Sequence, residues 1–150
     1  MNDTPHIEVR GLEVAYGTFV VLRDVNFRVR RGEVFVIMGG SGCGKSSVLR
    51  HIIGLKATTK GEILINGRNL GTASPETGAA LTSKFGVLFQ AGGLWSSMTL
   101  AENVALPLEQ STDLSPQEVA ELVRLKLAWV GLKGFEDFYP AELSGGMVKR

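Results

Sequence analysis

Residues 39–46 read GGSGCGKS and follow directly on the apolar run VFVIM of residues 34–38. They satisfy the spacing G-x-x-x-x-G-K-[ST], which is typical of a loop that wraps phosphate groups. Glycines allow the backbone to turn so tightly that successive N–H groups point inward at anionic oxygens. A helix that begins near Gly44 would add its unpaired amides and the positive end of its dipole. The stretch predicts a nucleotide site, against the alternative of a glycine-rich turn with a solvated lysine.

Individual side chains of this loop have separate predicted tasks. Lys45 can reach the outer phosphates as a point charge, and the Ser46 hydroxyl can hold Mg²⁺. Cys43 is the one cysteine of the chain, which rules out an internal disulfide and suits a reducing cytosol. Cys43 either fills a variable loop position or lets oxidation block the phosphate site. The predicted nucleotide-binding residues here are Gly39, Gly40, Ser41, Gly42, Cys43, Gly44, Lys45, Ser46 and Ser47.

The overall composition is that of a globular domain. The chain has 150 residues, of which 44% are hydrophobic and 21% charged, and a net charge of +1. This charge balance provides no field that would attract DNA or RNA, so no nucleic-acid partner is predicted. No apolar run reaches the roughly 18 residues of a membrane-spanning helix, and the first residues lack the pattern of a secretory signal. His6 and His51 have no further ligands at metal spacing, which favours structural roles.

The first 90 residues carry the patterns of strands interrupted by short helices, and therefore predict an α/β fold. The continuous apolar runs 33–38 and 85–89 are typical of parallel strands buried on both faces. Alternating residues predict strands over 6–14 and 19–30, and a hairpin around Asn66-Gly67. A helix is predicted over Lys45 to Ile53, with Gly54 as the stop and one apolar side made of Val48, Leu49, Ile52 and Ile53. A short helix is predicted to start at Ser74-Pro75, with Ser74 as the N-cap and Pro75 as the first helical residue.

After Gln90 the patterns become helical. Thr99 and Ser115 each begin a capping box, in which a Glu three residues later reaches back to the cap. Pro107 is expected to end the first of these helices. In the second helix Val119, Leu122, Val123, Leu127 and Val130 form a stripe at helical spacing, which is typical of core residues. These patterns predict a helical insertion over residues 91–143.

A second glycine-containing motif, Ser144-Gly145-Gly146, precedes another predicted helix. Alone it is better explained as an ordinary N-cap. Combined with the phosphate loop about a hundred residues upstream, it makes the chain resemble the ATP-binding subunits of ABC transporters. Residues 39–46 match their Walker A motif, Gln90 their Q-loop and Ser144 to Gly146 their signature motif. Tyr16 stands where that family places an aromatic residue against adenine.

Within that family, the chain is similar to the Mla-type ATPases, which power phospholipid transport between bacterial membranes and include toluene-tolerance relatives. The matching stretches are LFQAGGLW over 88–95 and ENVALPL over 102–108. Met147 also agrees with this subgroup, because other ABC signature motifs more often have glutamine there. The resemblance therefore implies a phospholipid as the transported molecule.

The resemblance also implies a mechanism and a set of partners. Two cassettes would pair head to tail, so that ATP and Mg²⁺ lie between the loop of one subunit and Ser144, Gly145 and Gly146 of the other. Lys45 and Gln90 are the implied catalytic residues, and Ser46 and Gln90 the implied Mg²⁺ contacts. The implied partners are a second ATP-binding subunit, an integral membrane permease and lipid-binding accessory proteins. The implied location is the cytoplasmic side of the bacterial inner membrane.

The sequence differs from the family pattern in ending at Arg150, just after the signature motif. The Walker B carboxylates and the switch histidine would follow that point. We therefore expect residues 1–150 to hold an incomplete core, to bind ATP weakly and not to hydrolyse it. The expected parts are a β-rich and P-loop part over 1–90, a helical subdomain over 91–143, and the signature motif over 144–150. A soluble ABC-type ATPase without a permease, and a non-hydrolysing ATP-binding fragment, are the alternative functions.

Overall fold

The computed structural model describes residues 4–90 and 93–150. The chain forms two compact units, Met1–Gly86 and Val87–Arg150. The first contains a small sheet and the glycine-rich loop, and the second is helical.

The first unit is built on a four-stranded antiparallel sheet in the order β2-β1-β3-β4. The strands are β1 Ile7–Tyr16, β2 Phe19–Val29, β3 Glu62–Ile65 and β4 Arg68–Asn69. Asn66 and Gly67, at φ of 50° and 78°, connect β3 to β4. The predicted β-rich beginning and the Asn-Gly hairpin are both confirmed, because turn residues that accept positive φ were available at the right place.

The pairing of β1 with β2 is irregular. Its register shifts between Val9 and Leu12 and again on either side of Val14. Gly11 and Asp24 adopt positive φ of 56° and 53°. The Asn26 side chain accepts from the Gly11 amide at 2.7 Å and donates to the Asp24 carbonyl at 2.8 Å. Backbone groups released by the bulge are therefore satisfied by a side chain.

The core of this unit lies between the sheet and helix α1, Lys45–Ile52. Val48 and Ile52 of α1 are buried with apolar residues of β1 and β3, chiefly Val9, Leu12, Val14 and Ile63. The helix ends at Ile52, and the chain turns away from its axis at Gly54, whose φ is 76°. The predicted helix and its glycine stop are confirmed, but Leu49 is 45% exposed and does not join the apolar side. Ser74 is the N-cap of helix α2, Pro75–Thr82, as predicted.

A buried carboxylate lies on the sheet beside this core. Glu8 is 6% exposed and accepts from Arg28 Nε at 2.6 Å and from Arg10 Nη2 at 2.8 Å. Hydrogen bonds from Arg10 and Arg28 hold the pKa of Glu8 below its usual value. The two guanidinium groups neutralise a charge that would otherwise be costly to bury.

The buried strand predicted over residues 33–38 is not formed, so this prediction is wrong. Residues 33–38 have no strand assignment, and Val34 and Met38 are 90% and 84% exposed. A strand needs a hydrogen-bonded neighbour, and no strand in the described ranges pairs with this segment. The Phe35 ring instead stacks on Phe27 of β2, with centroids 4.9 Å apart.

The expected strand at 85–89 is likewise not formed. Its residues have no strand assignment, and Leu88 and Phe89 are 86% and 48% exposed. The parallel sheet predicted from these two apolar runs is therefore absent from residues 4–90 and 93–150, where the one sheet is antiparallel. An apolar run indicates the tendency to be buried, but long-range partners decide whether a strand forms.

The second unit contains helices α3 Leu100–Ser111, α4 Pro116–Trp129 and α5 Gly145–Val148, with a 3₁₀ turn Pro140–Glu142 before α5. Both predicted capping boxes are present, at Thr99 and Ser115. The core residues of this unit are Leu100, Val119, Val123, Leu127 and Leu132.

Two details of the helical prediction need correction. Pro107 lies inside α3 and does not end it. Proline removes one backbone hydrogen bond, whereas Val104 and Leu108 on either side pack against the core and hold the helix together. In α4 the predicted stripe is buried at Val119, Val123 and Leu127, but Val130 is 37% exposed.

Candidate functional site

The glycine-rich loop leads directly into α1. Gly44 forms the N-cap of the helix in a left-handed conformation, with φ of 96°. The Ser47 and Val48 amides both donate to the Gly44 carbonyl at 3.0 Å. The amides of the residues before Ser47 have no partner within the helix. The strand predicted before the loop is not formed, whereas the helix predicted after the loop is present.

Lys45 holds the loop in a closed shape. Its Nζ donates to the carbonyl of Gly39 at 2.8 Å and to that of Gly40 at 2.6 Å. The ammonium group therefore lies over the start of the loop, although Lys45 itself begins the helix. A positive charge fixed here adds to the helix dipole and favours an anion inside the loop.

The glycines differ in what surrounds them. A Cβ on Gly39 would lie 2.7 Å from Cys43 Sγ, so the Cys43 side chain packs across the loop. Apart from their chain neighbours, no described residue would have a heavy atom within 4 Å of a Cβ on Gly40 or Gly42. The backbone at these two positions therefore faces open space, where a phosphate could approach it closely.

Tyr16, at the end of β1, lies beside the loop. Its hydroxyl oxygen is 2.6 Å from Ser47 Oγ, while half of the residue stays exposed. The Lys56 ammonium lies 3.8 Å from the centroid of the Tyr16 ring. The hydrogen bond to Ser47, together with the charges of Lys56 and Arg50, lowers the pKa of Tyr16.

A cavity of about 280 Å³ joins the tyrosine to the loop. This is close to the lower end of the roughly 300–1,000 Å³ found for small-molecule sites, and suits part of a nucleotide. The Tyr16 ring, predicted from the resemblance alone, thus shares one concave surface with the loop. The residues that line the cavity are Tyr16, Val21, Gly42, Gly44, Lys45, Ser46 and Ser47.

The family model for the ABC transporter matches residues 22–150. The chain belongs to the ABC transporter family. The ABC match begins inside β2 and includes the loop, α1 and all of the second unit.

Curated ABC relatives match nearly the whole chain. The probable ribonucleotide transport ATP-binding protein mkl of Mycobacterium tuberculosis is 42% identical, over 96% of this chain and 40% of its own length. The intermembrane phospholipid transport system ATP-binding protein MlaF of Escherichia coli is 36% identical, over 96% of this chain and 54% of its own length. The chain thus spans about half or less of the curated relatives it matches.

A solved ABC structure agrees with the fold. It is a dimeric ATP-binding cassette in a post-hydrolysis state, bound to ADP and Pi. It has a TM-score of 0.82 and 29% sequence identity, over 95% of this chain and 65% of that chain. The chain therefore has the ABC ATPase fold in part, as the resemblance implied.

The remaining ABC motif residues belong to the second unit. Ser144 caps α5, and its Oγ accepts from the Met147 amide at 3.3 Å. Gly145 and Gly146 form the first residues of that short helix and are exposed. Gln90 is also exposed, and lies next to residues 91–92, outside the described ranges.

Lys56 is the residue of this site that sequence reasoning missed. It follows the end of α1 and carries no motif, so no local signal marks it. Within residues 4–90 and 93–150, no group of three or more His, Cys, Asp or Glu side chains could hold a metal ion. In the same ranges, no helix has the length and apolarity to cross a membrane.

Proposed function

We propose that the complete protein is the ATP-binding subunit of an ABC transporter that moves phospholipids. The observation that carries this proposal is the Lys45 ammonium group held over a glycine loop whose cavity also contains the Tyr16 ring. This arrangement supplies positive charge and open amides for phosphates at one side, and an aromatic surface for a base at the other.

Each residue of the loop has a task that follows from its position. Lys45 binds the outer phosphates, since its charge already lies over the loop. The amides of the loop and of the first turn of α1 donate to phosphate oxygens, and the open surroundings of Gly40 and Gly42 let them approach. The exposed Ser46 hydroxyl contributes one oxygen ligand to Mg²⁺, which prefers oxygen and binds substrate phosphates. Tyr16 stacks on adenine.

The residues of the second unit complete the proposed site in a dimer. Ser144, Gly145 and Gly146 of one subunit meet the terminal phosphate on the loop of the other, so that closure depends on the γ-phosphate. Gln90 contacts Mg²⁺ or the attacking water. The similar ABC cassette solved as a dimer bound to ADP and Pi supports the pairing of two subunits.

The proposed transported molecule is a phospholipid, and the proposed partners are a membrane permease and lipid-binding accessory proteins. The 36% identity with MlaF supports this assignment. The 42% identity with mkl, a probable ribonucleotide transport ATP-binding protein, supports ribonucleotides as the second candidate cargo. The protein would lie at the cytoplasmic face of the bacterial inner membrane. Purification from membranes with a permease supports a transporter subunit, whereas recovery with soluble partners alone supports an ATPase without a permease.

Binding of Mg·ATP to the full-length protein, measured by calorimetry, tests the nucleotide site. Lys45→Ala should weaken binding by about 10- to 100-fold, which corresponds to the loss of a charge-assisted hydrogen bond. Lys60→Ala is the matched control, because Lys60 pairs with Glu13 on the surface of the same unit. If the folded wild-type protein binds no ATP with Mg²⁺ present, the proposal is wrong.

Release of phosphate separates the hydrolytic proposal from the alternative of a protein that binds ATP without consuming it. The full-length wild-type protein should release phosphate, and Lys45→Ala should not. Tight ATP binding by the wild type with no phosphate release would support the non-hydrolysing alternative.

A further inference from the structure

Lys56 connects the end of α1 to the end of β1 through both its backbone and its side chain. Its amide donates to the Arg50 carbonyl at 3.1 Å, and its carbonyl accepts from His51 Nδ1 at 3.1 Å. Its ammonium group donates to the Ala15 carbonyl at 2.7 Å while it lies 3.8 Å from the centre of the Tyr16 ring. The backbone of Lys56 is therefore held by α1, and its ammonium group is held by β1.

Tyr16 is fixed from a second direction by α1. Its hydroxyl oxygen lies 2.6 Å from that of Ser47, and Ser47 is 8% exposed. Ser47 follows directly on Lys45 and Ser46 in the first turn of the helix. The hydrogen bond with Ser47 thus fixes the orientation of the Tyr16 ring relative to α1.

We propose that Lys56 and Ser47 are positioning residues that hold the Tyr16 ring as a stacking platform for the base of the nucleotide. This inference rests on the proposed ATP site and assigns to it two residues that act through the ring. Lys56 covers one face, so a base stacks on the opposite face. The cation also draws electron density toward its own side, which favours stacking of an electron-rich base on the other.

The two contacts have different consequences for binding. The cation over the ring acts on a ligand through its base, because an inorganic triphosphate has no ring that could stack on Tyr16. The Tyr16–Ser47 hydrogen bond likewise orders the ring and leaves the loop carbonyls on Lys45 unchanged. Loss of either contact should therefore weaken ATP without weakening triphosphate.

The test compares the affinities of the full-length protein for ATP and for inorganic tripolyphosphate, each with Mg²⁺. Lys56→Met should weaken ATP by about 2- to 5-fold, the range expected for an exposed cation–π contact, and leave tripolyphosphate unchanged. Tyr16→Phe, which keeps the ring and removes the hydroxyl, should weaken ATP by about 2- to 10-fold. Lys56→Arg retains a cation that can stack on the ring and should restore most of the ATP affinity.

Lys60→Met is the matched control, since it removes the same charge from a surface lysine whose ammonium group pairs with Glu13. ATP affinity of Lys56→Met that equals the control, or exceeds it, would overturn the proposal. Equal weakening of ATP and tripolyphosphate would also overturn it, because Lys56 would then act on the loop or the fold. Failure of the wild type to bind either ligand would instead refute the proposed nucleotide site.

Discussion

Gly44, at the start of α1, lies directly against Leu22 of β2: a Cβ on Gly44 would be 2.9 Å from Leu22 Cδ1. The backbone of Gly44 has φ of 96°, a conformation that residues with a side chain rarely adopt. The glycine of the phosphate motif is therefore required both by its backbone conformation and by the sheet beneath it.

Gly44→Ala should lower the free energy of unfolding by about 1–3 kcal/mol, because it adds strain at positive φ and a contact with Leu22. Denaturant unfolding of the full-length protein measures this change. Gly40→Ala is the control in the same loop, since a Cβ there has no heavy atom within 4 Å. Equal stability of the two variants would contradict the steric explanation.

Gly61→Ala should be among the most damaging alanine substitutions in the first unit. Gly61 has φ of 89°, and a Cβ would lie 2.5 Å from the carbonyl carbon of Gly11 and 2.6 Å from Leu12 Cα. Backbone atoms cannot move aside as a side chain can, so we expect a loss of about 3 kcal/mol or more. Gly17→Ala, also at positive φ but with no atom within 4 Å, should lose about 1 kcal/mol. A similar loss in both would mean that only the backbone conformation matters.

Ser115→Ala should destabilise the second unit by about 1 kcal/mol, because it removes an N-cap. The Ser115 hydroxyl accepts from the Glu118 amide, and the Glu118 carboxylate accepts from the Ser115 amide at 2.8 Å. Ser97→Ala changes an exposed turn residue and should alter stability by less than about 0.5 kcal/mol. The helical signal in thermal unfolding distinguishes the two variants, and an unchanged midpoint for Ser115→Ala would contradict the capping role.

Protonation of His51 should make the protein less stable in mild acid. His51 is 2% exposed, and its Nε2 has no hydrogen-bond partner among residues 4–90 and 93–150. Burial, together with the charge of Lys56, lowers the pKa of His51. The unfolded chain therefore binds this proton more readily, so the stabilising effect is complete above the unfolded pKa of about 6.5 and is lost as pH falls toward the folded pKa.

The variant that tests this is His51→Leu, followed by unfolding between pH 7.5 and 5. The wild type should lose up to about 1.4 kcal/mol per pH unit more than the variant below pH 6.5. An identical pH dependence of both proteins would show that His51 does not titrate in this range.

Features set by neighbouring residues were predictable from the sequence. The helix start at Gly44, the Asn66-Gly67 turn and the capping boxes at Thr99 and Ser115 each need only a few adjacent residue types, and each formed as expected. The placement of Tyr16 beside the loop came from the family resemblance, and the cavity is consistent with it.

Features that depend on distant partners were not predictable in the same way. Residues 33–38 and 85–89 are apolar enough for buried strands, but a strand exists only with a paired neighbour. The Phe35 ring instead stacks on Phe27 of β2, and no local sequence pattern indicates that contact. Lys56 reaches Tyr16 across forty residues of chain because α1 and the loop after it turn back onto β1. Pro107 stays within α3 because the core contacts of its neighbours outweigh one missing bond.

The left-handed backbone conformation of Asp24 has a consequence for solubility. Asp24 lies inside β2, one of the two edge strands of the sheet, and it is exposed next to the charged Arg23. A long regular edge strand exposes a row of unpaired amides and carbonyls, with which a strand of a second molecule can pair. The kink and the adjacent charges break that row, and so discourage molecules from joining edge to edge.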